Sequence, residues 1–202
     1  MVISGIDDRN DRDEALLVDR ARAGDAEAFR ALVERYSARV FRIAWRILGD
    51  EAAAEDAVQE TFLRAYRSLA RFDARSQFGT WLHRIAANTA VEILRKHQHQ
   101  RLRHERIGEE TGEASSADPG PDRRILSQEV ERAVRGALAG LSPMERAAFV
   151  LRHFEGRSIA EICGALGLRE SAGKQAIFRA VQKLRRSLEP LYMPRANREA
   201  VP

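Results

Sequence analysis

The sequence predicts an all-α fold made of two small helical domains joined by a flexible acidic linker, and three observations support this. The chain has 202 residues, 44% of them hydrophobic, and is rich in Ala, Leu, Arg and Glu against 6 Pro and 13 Gly. That balance favours helices over sheets and supplies enough apolar surface for a core. Apolar residues recur at spacings of three and four, the period of a helix face. Near the middle, residues 108–122 (GEETGEASSADPGPD) carry five acids, no base, three Gly, two Pro and no large apolar side chain. Such a stretch buries too little surface to offset its ordering entropy and reads as a linker. The expected organisation is a first domain at 14–106, a linker at 107–124 and a second domain at 125–190.

The first domain carries four helical patterns. A leading short helix holds Leu16, Leu17 and Ala21. Phe29, Leu32, Val33, Tyr36, Val40, Ala44 and Leu48 form one apolar face of a long helix between Gly24-Asp25 and Gly49-Asp50. Ala54, Val58, Thr61, Phe62, Ala65 and Leu69 form the next, with Asp50 as N-cap. After FDARSQ interrupts the pattern, Phe78, Trp81, Leu82, Ile85, Thr89 and Ile93 resume it.

The second domain is punctuated more sharply. Ser142-Pro143-Met144-Glu145 combines a capping Ser, a Pro at the first helical position and a Glu at the third. Ala147, Val150, Leu151 and Phe154 follow, and Gly156 is placed to end that helix. Ser158-Ile159-Ala160-Glu161 is a second capping box, opening a short helix with Ile159 and Ile162 inward. A turn at Gly164–Leu168 leads to a longer helix bearing Ile177, Val181, Leu184 and Leu188. Short helix, glycine turn and longer basic helix is the helix-turn-helix order.

Charge distribution narrows the chemistry. Lys plus Arg is 34 and Asp plus Glu is 30, a net +4, which alone hints only weakly at a polyanion partner. The stretch 169–186, however, holds six bases (Arg169, Lys174, Arg179, Lys183, Arg185, Arg186) and one acid, Glu170. Lys174, Gln175, Phe178 and Arg179 share a face away from Ile177, Val181 and Leu184, where a recognition helix meets base edges. A merely solvated basic face is the plainer reading, but the capping boxes and turn before it favour DNA binding. The stretch 72–106 mixes aromatics (Phe72, Phe78, Trp81) with Arg84, Arg95, Lys96, Arg101, Arg103 and Arg106 around the polar loop Asp73-Ala74-Arg75-Ser76-Gln77. Aromatics beside cations suit single-stranded nucleic acid, although core packing is the commoner role for such rings.

Catalysis finds little support. Glu55, Asp56, Gln59 and Glu60 lie on the exposed side of their helix without a nucleophile or metal partner. His97, His99 and His104 are the one ligand-like cluster, at spacings that do not suit a helical metal pair. The sequence therefore predicts no enzyme, no cofactor and no metal. Cys163, the single cysteine, excludes an internal disulfide and fits a small core residue in a reducing compartment. No run approaches the ~18 apolar residues of a membrane span, and residues 1–12 lack the apolar stretch of a signal peptide, so the expected location is the cytoplasm.

Three runs are familiar together: GDAEAFRALVERYSARVFRIAWRILGD, AEDAVQETFLRAYRSLARFD and FGTWLHRIAANTAVEILRK. They resemble the second conserved region of extracytoplasmic-function (group 4) sigma factors of the sigma-70 family. LSPMERAAFVLRHFEGRSIAEICGALGLRESAGKQAIFRAVQKLRRSL resembles their fourth region. The resemblance covers about residues 14–97 and 126–188, and its most specific motifs are E-D-x-x-Q-E-x-F and F-x-x-W-L-x-x-I-A-x-N. It implies a transcription initiation factor that binds RNA polymerase core and directs it to the −10 and −35 elements of promoter DNA. Asp56, Gln59, Glu60 and Phe62 match the polymerase-docking motif. Asp73, Arg75, Ser76 and Gln77, with Asn88, Arg95 and Lys96 on the next helix, match the part that handles the melted −10 element. Ser171, Lys174, Gln175, Phe178, Arg179, Lys183, Arg185 and Arg186 match the helix that reads the duplex −35 element. An anti-sigma factor is a further partner that the resemblance leaves open.

The chain departs from the family pattern at Glu92, where Asp is frequent, and at Ala172-Gly173, where Thr-Val is common. Arg169 also stands where a capping Ser or Pro is frequent. Gly173 costs about 1 kcal/mol of helix propensity against Ala, and Ser171 offers a later start to the helix. Two readings from other classes compete with the sigma-factor one. A free-standing helix-turn-helix regulator has no use for the Glu55–Phe62 run, and a His/carboxylate metal hydrolase ranks last.

Overall fold

A computed structural model describes residues 4–73, 77–107 and 133–192. The chain divides into two compact units, Met1–Leu94 and Arg95–Pro202. Their described residues form helices α1 (Ser4–Arg22), α2 (Ala26–Leu48), α3 (Glu51–Ser68) and α4 (Phe78–Ile107), then α5 (133–139), α6 (Pro143–His153), α7 (Ile159–Leu166) and α8 (Glu170–Tyr192). A single 3-10 turn, Leu69–Arg71, follows α3. The linker acids and the loop residues 74–76 lie outside the described residues. The unit boundary falls inside α4, upstream of residue 106, because the helix outruns its packing: Val91 is buried, whereas Arg95, Lys96 and His97 are exposed.

The first unit is an all-helical bundle in which α2 packs against both α1 and α3. Asp25 caps α2, its carboxylate accepting from the N–H groups of Glu27 (3.0 Å) and Ala28 (3.1 Å). The Ala28 bond, with the Arg20 guanidinium at 2.6 Å, holds that carboxyl below its ordinary range. Gly49 ends α2 in the left-handed region (φ 71°), its N–H donating to the Trp45 carbonyl, and Asp50 at once caps α3 through Ala53 N–H at 2.7 Å. Leu32, Val40, Ile43 and Ile47 of α2 are completely buried, each contributing roughly 1.5–3 kcal/mol by leaving water. α3 and α4 bury several alanines (Ala54, Ala57, Ala65, Ala86, Ala87, Ala90) beside the larger Phe62, Phe78 and Leu82, and the small side chains let helices approach closely. The α1 register differs from expectation. Val18 and Ala21 face inward while Leu16 is exposed, and α1 extends back to Ser4.

Tyr36 ties α1, α2 and α4 together. Its hydroxyl donates to Glu14 Oε2 at 2.5 Å, and its ring packs edge-on to Phe78 at 5.5 Å. A β-carbon at Gly79 would lie 3.0 Å from the same ring, so α4 begins with glycine where the tyrosine passes.

In the second unit α6, α7 and α8 pack on one another. Both capping boxes are formed, Ser142 with Glu145 and Ser158 with Glu161. Ala137 and Leu141 of the α5 segment join Ala180 and Leu184 of α8 in one cluster. This extra helix escaped the sequence reading. The turn is later and tighter than expected: α7 continues through Gly164 to Leu166, and Gly167 (φ 64°) ends it. α8 starts at Glu170, ahead of the alternative cap at Ser171.

Burial and the bond to Glu14 together raise the Tyr36 phenol above its ordinary pKa of 10. A phenol that keeps its proton longer when folded stabilises fully below pH 10 and loses that contribution as pH rises beyond it. Tyr36→Phe should therefore cost about 1 kcal/mol in urea unfolding at pH 7. The gap from wild type should shrink above pH ~10, where the unfolded chain's phenol ionises.

Candidate nucleic-acid and protein interfaces

The carboxylate run on α3 splits into two environments. Asp56 and Gln59 are exposed, and a helical period aligns them with Leu63 and Tyr66, which are also exposed. Tyr66 leans edge-on against Phe29 of α2 at 5.0 Å. Glu60 is drawn into an ion-pair chain: Arg64 Nε lies 2.6 Å from Glu60 and its Nη1 lies 2.7 Å from Glu92 on α4. Phe62 requires a correction, because it is only 7% exposed and its ring belongs to the core rather than to a docking surface. Sequence reasoning passed over Leu63 and Tyr66, whose signal was two large apolar residues off the inward stripe.

Around the polar loop, Phe72 and Phe78 are buried and Trp81 is half-buried. Phe72 stands 4.9 Å from Trp81 and Phe78 stands 5.5 Å from it, centroid to centroid. The rings thus pack on one another, the core role expected first for such side chains. Asp73 and Gln77, at its ends, are exposed, while Arg75 and Ser76 lie outside the described residues. On α4, Asn88 is half-buried and Arg95 and Lys96 are exposed. Arg84, Asn88 and Arg95 fall at helical spacings that give them a common face.

α8 is two-sided. Gly173, Ala180 and Leu184 are buried, with Ile177 and Leu188 partly so, along one stripe. Ser171, Lys174, Gln175, Phe178, Arg179, Arg185 and Arg186 are exposed, and Phe178, 63% exposed, is the barest large apolar side chain among the described residues. Lys174 is ion-paired to Glu170 at 2.6 Å, which raises its pKa and keeps it cationic. Lys183 is also exposed but has a partner: its Nζ donates to Glu145 Oε2 at 2.7 Å and to the Gly140 carbonyl at 3.4 Å, which ties α8 to the start of α6. Burial acts to raise the Glu145 carboxyl, but Lys183 and the Ser142 cap outweigh it and hold it below its ordinary range. No group of three or more metal-ligating side chains is assembled among the described residues, and no described helix is long and apolar enough to cross a membrane.

A short helix, a left-handed glycine and a second helix studded with cations define a helix-turn-helix protein, here with an α-helical bundle ahead of it. The sigma-70 region 2 family model matches residues 32–100 and the sigma-70 region 4 model matches residues 131–184. An ECF RNA polymerase sigma-E factor of Haemophilus influenzae is 35% identical over 87% of this chain and 95% of its own length. The ECF RNA polymerase sigma factor BldN of Streptomyces coelicolor is 35% identical over 85% of this chain, which spans 64% of that longer relative. Among solved structures, CnrH, in complex with the cytosolic domain of CnrY, aligns with a TM-score of 0.60 at 26% identity, covering 88% of this chain and 98% of CnrH. The chain belongs to the ECF family of RNA polymerase sigma factors, promoter-recognising transcription initiation factors that are not enzymes.

The two cation types on α8 separate experimentally. Lys183→Met should lower the stability of the second unit by about 1–2 kcal/mol, since it leaves a largely buried carboxylate without its partner. The lost contribution belongs to a carboxyl with a depressed folded pKa, so it is full above pH 4.5 and disappears as pH falls below. The salt dependence of DNA binding should not change in this variant, as measured by titration at several ionic strengths. Arg185→Ala should instead reduce the salt slope by about one while leaving stability intact.

Proposed function

We propose a division of labour between the two units. The first, within limits of 14–106, docks on RNA polymerase core through Asp56, Gln59 and Glu60 of α3, with Leu63 and Tyr66 extending the same surface. The loop carrying Asp73, Arg75, Ser76 and Gln77, with Asn88, Arg95 and Lys96 of α4, handles the melted −10 element. Residues 107–124 connect it to the second unit, 125–190, in which α8 reads the duplex −35 element. Ser171, Lys174, Gln175, Phe178 and Arg179 meet base edges there, and Arg185 and Arg186 meet phosphates. The observation that carries this reading is the exposed face of α8, where a hydroxyl, two cations, an amide and a ring stand together, with Glu170 paired to Lys174 at its edge as the one acid. An amide pairs with adenine, a ring packs on a thymine methyl, and Arg or Lys suits guanine or phosphate.

The place of work is the cytoplasm, where core polymerase and promoter DNA are found. CnrH is described in complex with the cytosolic domain of CnrY, which supports a further protein partner for this chain, and the family resemblance suggests an anti-sigma factor in that place.

Two measurements test the division. Asp56→Ala with Gln59→Ala should weaken co-purification with core polymerase while the circular dichroism stays that of wild type, because both side chains are exposed. Phe62→Ala should behave differently, costing about 3–5 kcal/mol of stability as a buried ring. Wild-type core affinity in the double variant would sink the α3 assignment. On the DNA side, selection from randomised −35 sites should show Gln175→Ala losing ~1–3 kcal/mol of discrimination at one position. Arg186→Ala should weaken binding evenly across sequences. A uniform loss from Gln175→Ala, with altered preference from Arg186→Ala, would mean that α8 is docked the other way round.

A further inference from the structure

Gly173 stands in the first turns of α8 for a reason that backbone freedom does not supply. Among the described residues the glycines with positive φ are Gly24, Gly49, Gly156 and Gly167, and Gly173 is not one of them. What glycine provides at 173 is space. A β-carbon there would come well inside 3.0 Å of the Cys163 sulfur, a separation that real β-carbons do not show. Gly173 is itself buried, on the inward stripe with Ala180 and Leu184.

Cys163 is in turn fixed by the helix-turn-helix corner. Its backbone carbonyl accepts from Gly167 N–H and from Leu168 N–H at 2.9 Å. Its thiol donates to the Arg169 carbonyl at 3.6 Å, and that same carbonyl accepts from Gly173 N–H at 3.0 Å. One cysteine therefore holds the end of α7, the turn and the first turn of α8. The sulfur has a single torsion with which to yield, and yielding breaks its bond to Arg169.

We infer that Cys163 and Gly173 are a size-matched pair that sets how deeply the start of α8 lies on α7. They are thereby positioning residues for −35 recognition. This rests on the proposed role of α8. Gly173 is flanked by Ser171, Lys174 and Gln175, so whatever lifts its Cα away from Cys163 lifts those three side chains too. A base-edge hydrogen bond works over a narrow range of donor–acceptor distances, whereas a long arginine reaching a phosphate follows a displaced helix. A spacing error at 173 thus damages sequence preference more than overall affinity.

The test is a double-mutant cycle in the full chain assembled with core RNA polymerase. Wild type, Gly173→Ala, Cys163→Ala and the double variant are each selected on randomised −35 sites, with thermal unfolding of each free chain measured alongside. Gly173→Ala should flatten the preference at the affected −35 positions about tenfold, a modest effect for overpacking a filled contact. The double variant, whose missing sulfur makes room for the new methyl, should recover the wild-type preference. Wild-type preference in Gly173→Ala would show that the sulfur simply rotates aside, and would overturn the inference. So would a double variant no more selective than Gly173→Ala. Should Gly173→Ala fail to fold, the double variant must fold and select as wild type does, and its failure also overturns the pairing. A wild-type holoenzyme indifferent to the −35 sequence would remove the role of α8 itself, an outcome distinct from a selective wild type with an equally selective Gly173→Ala.

Discussion

The hydroxyl of Tyr36, donated to Glu14, is the contact on which the first unit's arrangement turns. The bond fixes α1 on α2, and the ring behind it marks where α4 begins, since Gly79 is the residue whose missing β-carbon admits it. Phe78 lies against that ring and Trp81 against Phe78, so the aromatic packing passes from Tyr36 to Phe72 on the far side of the polar loop. Both ends of the loop are thereby held by buried rings, while Asp73 and Gln77 stay exposed. On the proposed role of the loop at the −10 element, ends that do not move lower the entropy cost of positioning on binding. Phe72 and Phe78 are themselves buried and so are not placed to stack on bases.

Charge is distributed by a similar logic of support and exposure. Asp25, Asp50, Glu145 and Glu161 are used on backbone N–H groups at helix starts, where the helix dipole and the unpaired donors favour an anion. Arg64 joins Glu60 to Glu92 and so links α3 to α4, the helix that follows the polar loop. Glu92, longer by one methylene than the Asp frequent in the family, reaches the same guanidinium. On α8, Lys183 is held by Glu145, which leaves the exposed arginines to meet a polyanion. The N-cap of α6 and the orientation of α8 therefore share one carboxylate: Glu145 accepts from Ser142 N–H at 2.9 Å and from Lys183 at 2.7 Å.

Elements whose cause is local were legible in the sequence. The 3.6-residue period placed α2, α3 and α4, and the capping boxes placed α6 and α7, because each depends on neighbours within a turn or two. The misread residues depend on distant partners. Phe62 lies within the docking motif and on the apolar stripe at once, and only the closed bundle decides that the ring is inside. Lys183 reads as one more cation on a basic helix, and its partner stands 38 residues earlier. Helix α5 follows a stretch of weak pattern, and its inward Ala137, with Leu141 just after the helix, becomes a core only beside Ala180 and Leu184. Gly173 is the clearest instance. Propensity records a cost there, and the compensating term is the room it leaves for a sulfur ten positions away.

Helix α8 shows how those nonlocal terms shape an exposed face. A helix offers about 3.6 residues per turn, so a helix packed along one stripe has a limited arc left for a ligand. In α8 the stripe of Gly173, Ile177, Ala180, Leu184 and Leu188 is given to the second unit's core, and Lys183 beside it is given to Glu145. The remaining arc carries Ser171, Lys174, Gln175, Phe178, Arg179, Arg185 and Arg186. Packing has thus already decided which side chains are available, and the missing β-carbon at Gly173 leaves room for the Cys163 sulfur beside the start of the helix. Near the start of α8 the inward residue is the smallest possible and its neighbours are short or polar; further along, Ala180 and Leu184 anchor the helix and the exposed residues are arginines. On the proposed docking, the closely seated end is the one that meets base edges and the arginine-bearing end the one that meets phosphates. One amphipathic pattern thus divides α8 between the core of its unit and an exposed arc that is polar and basic.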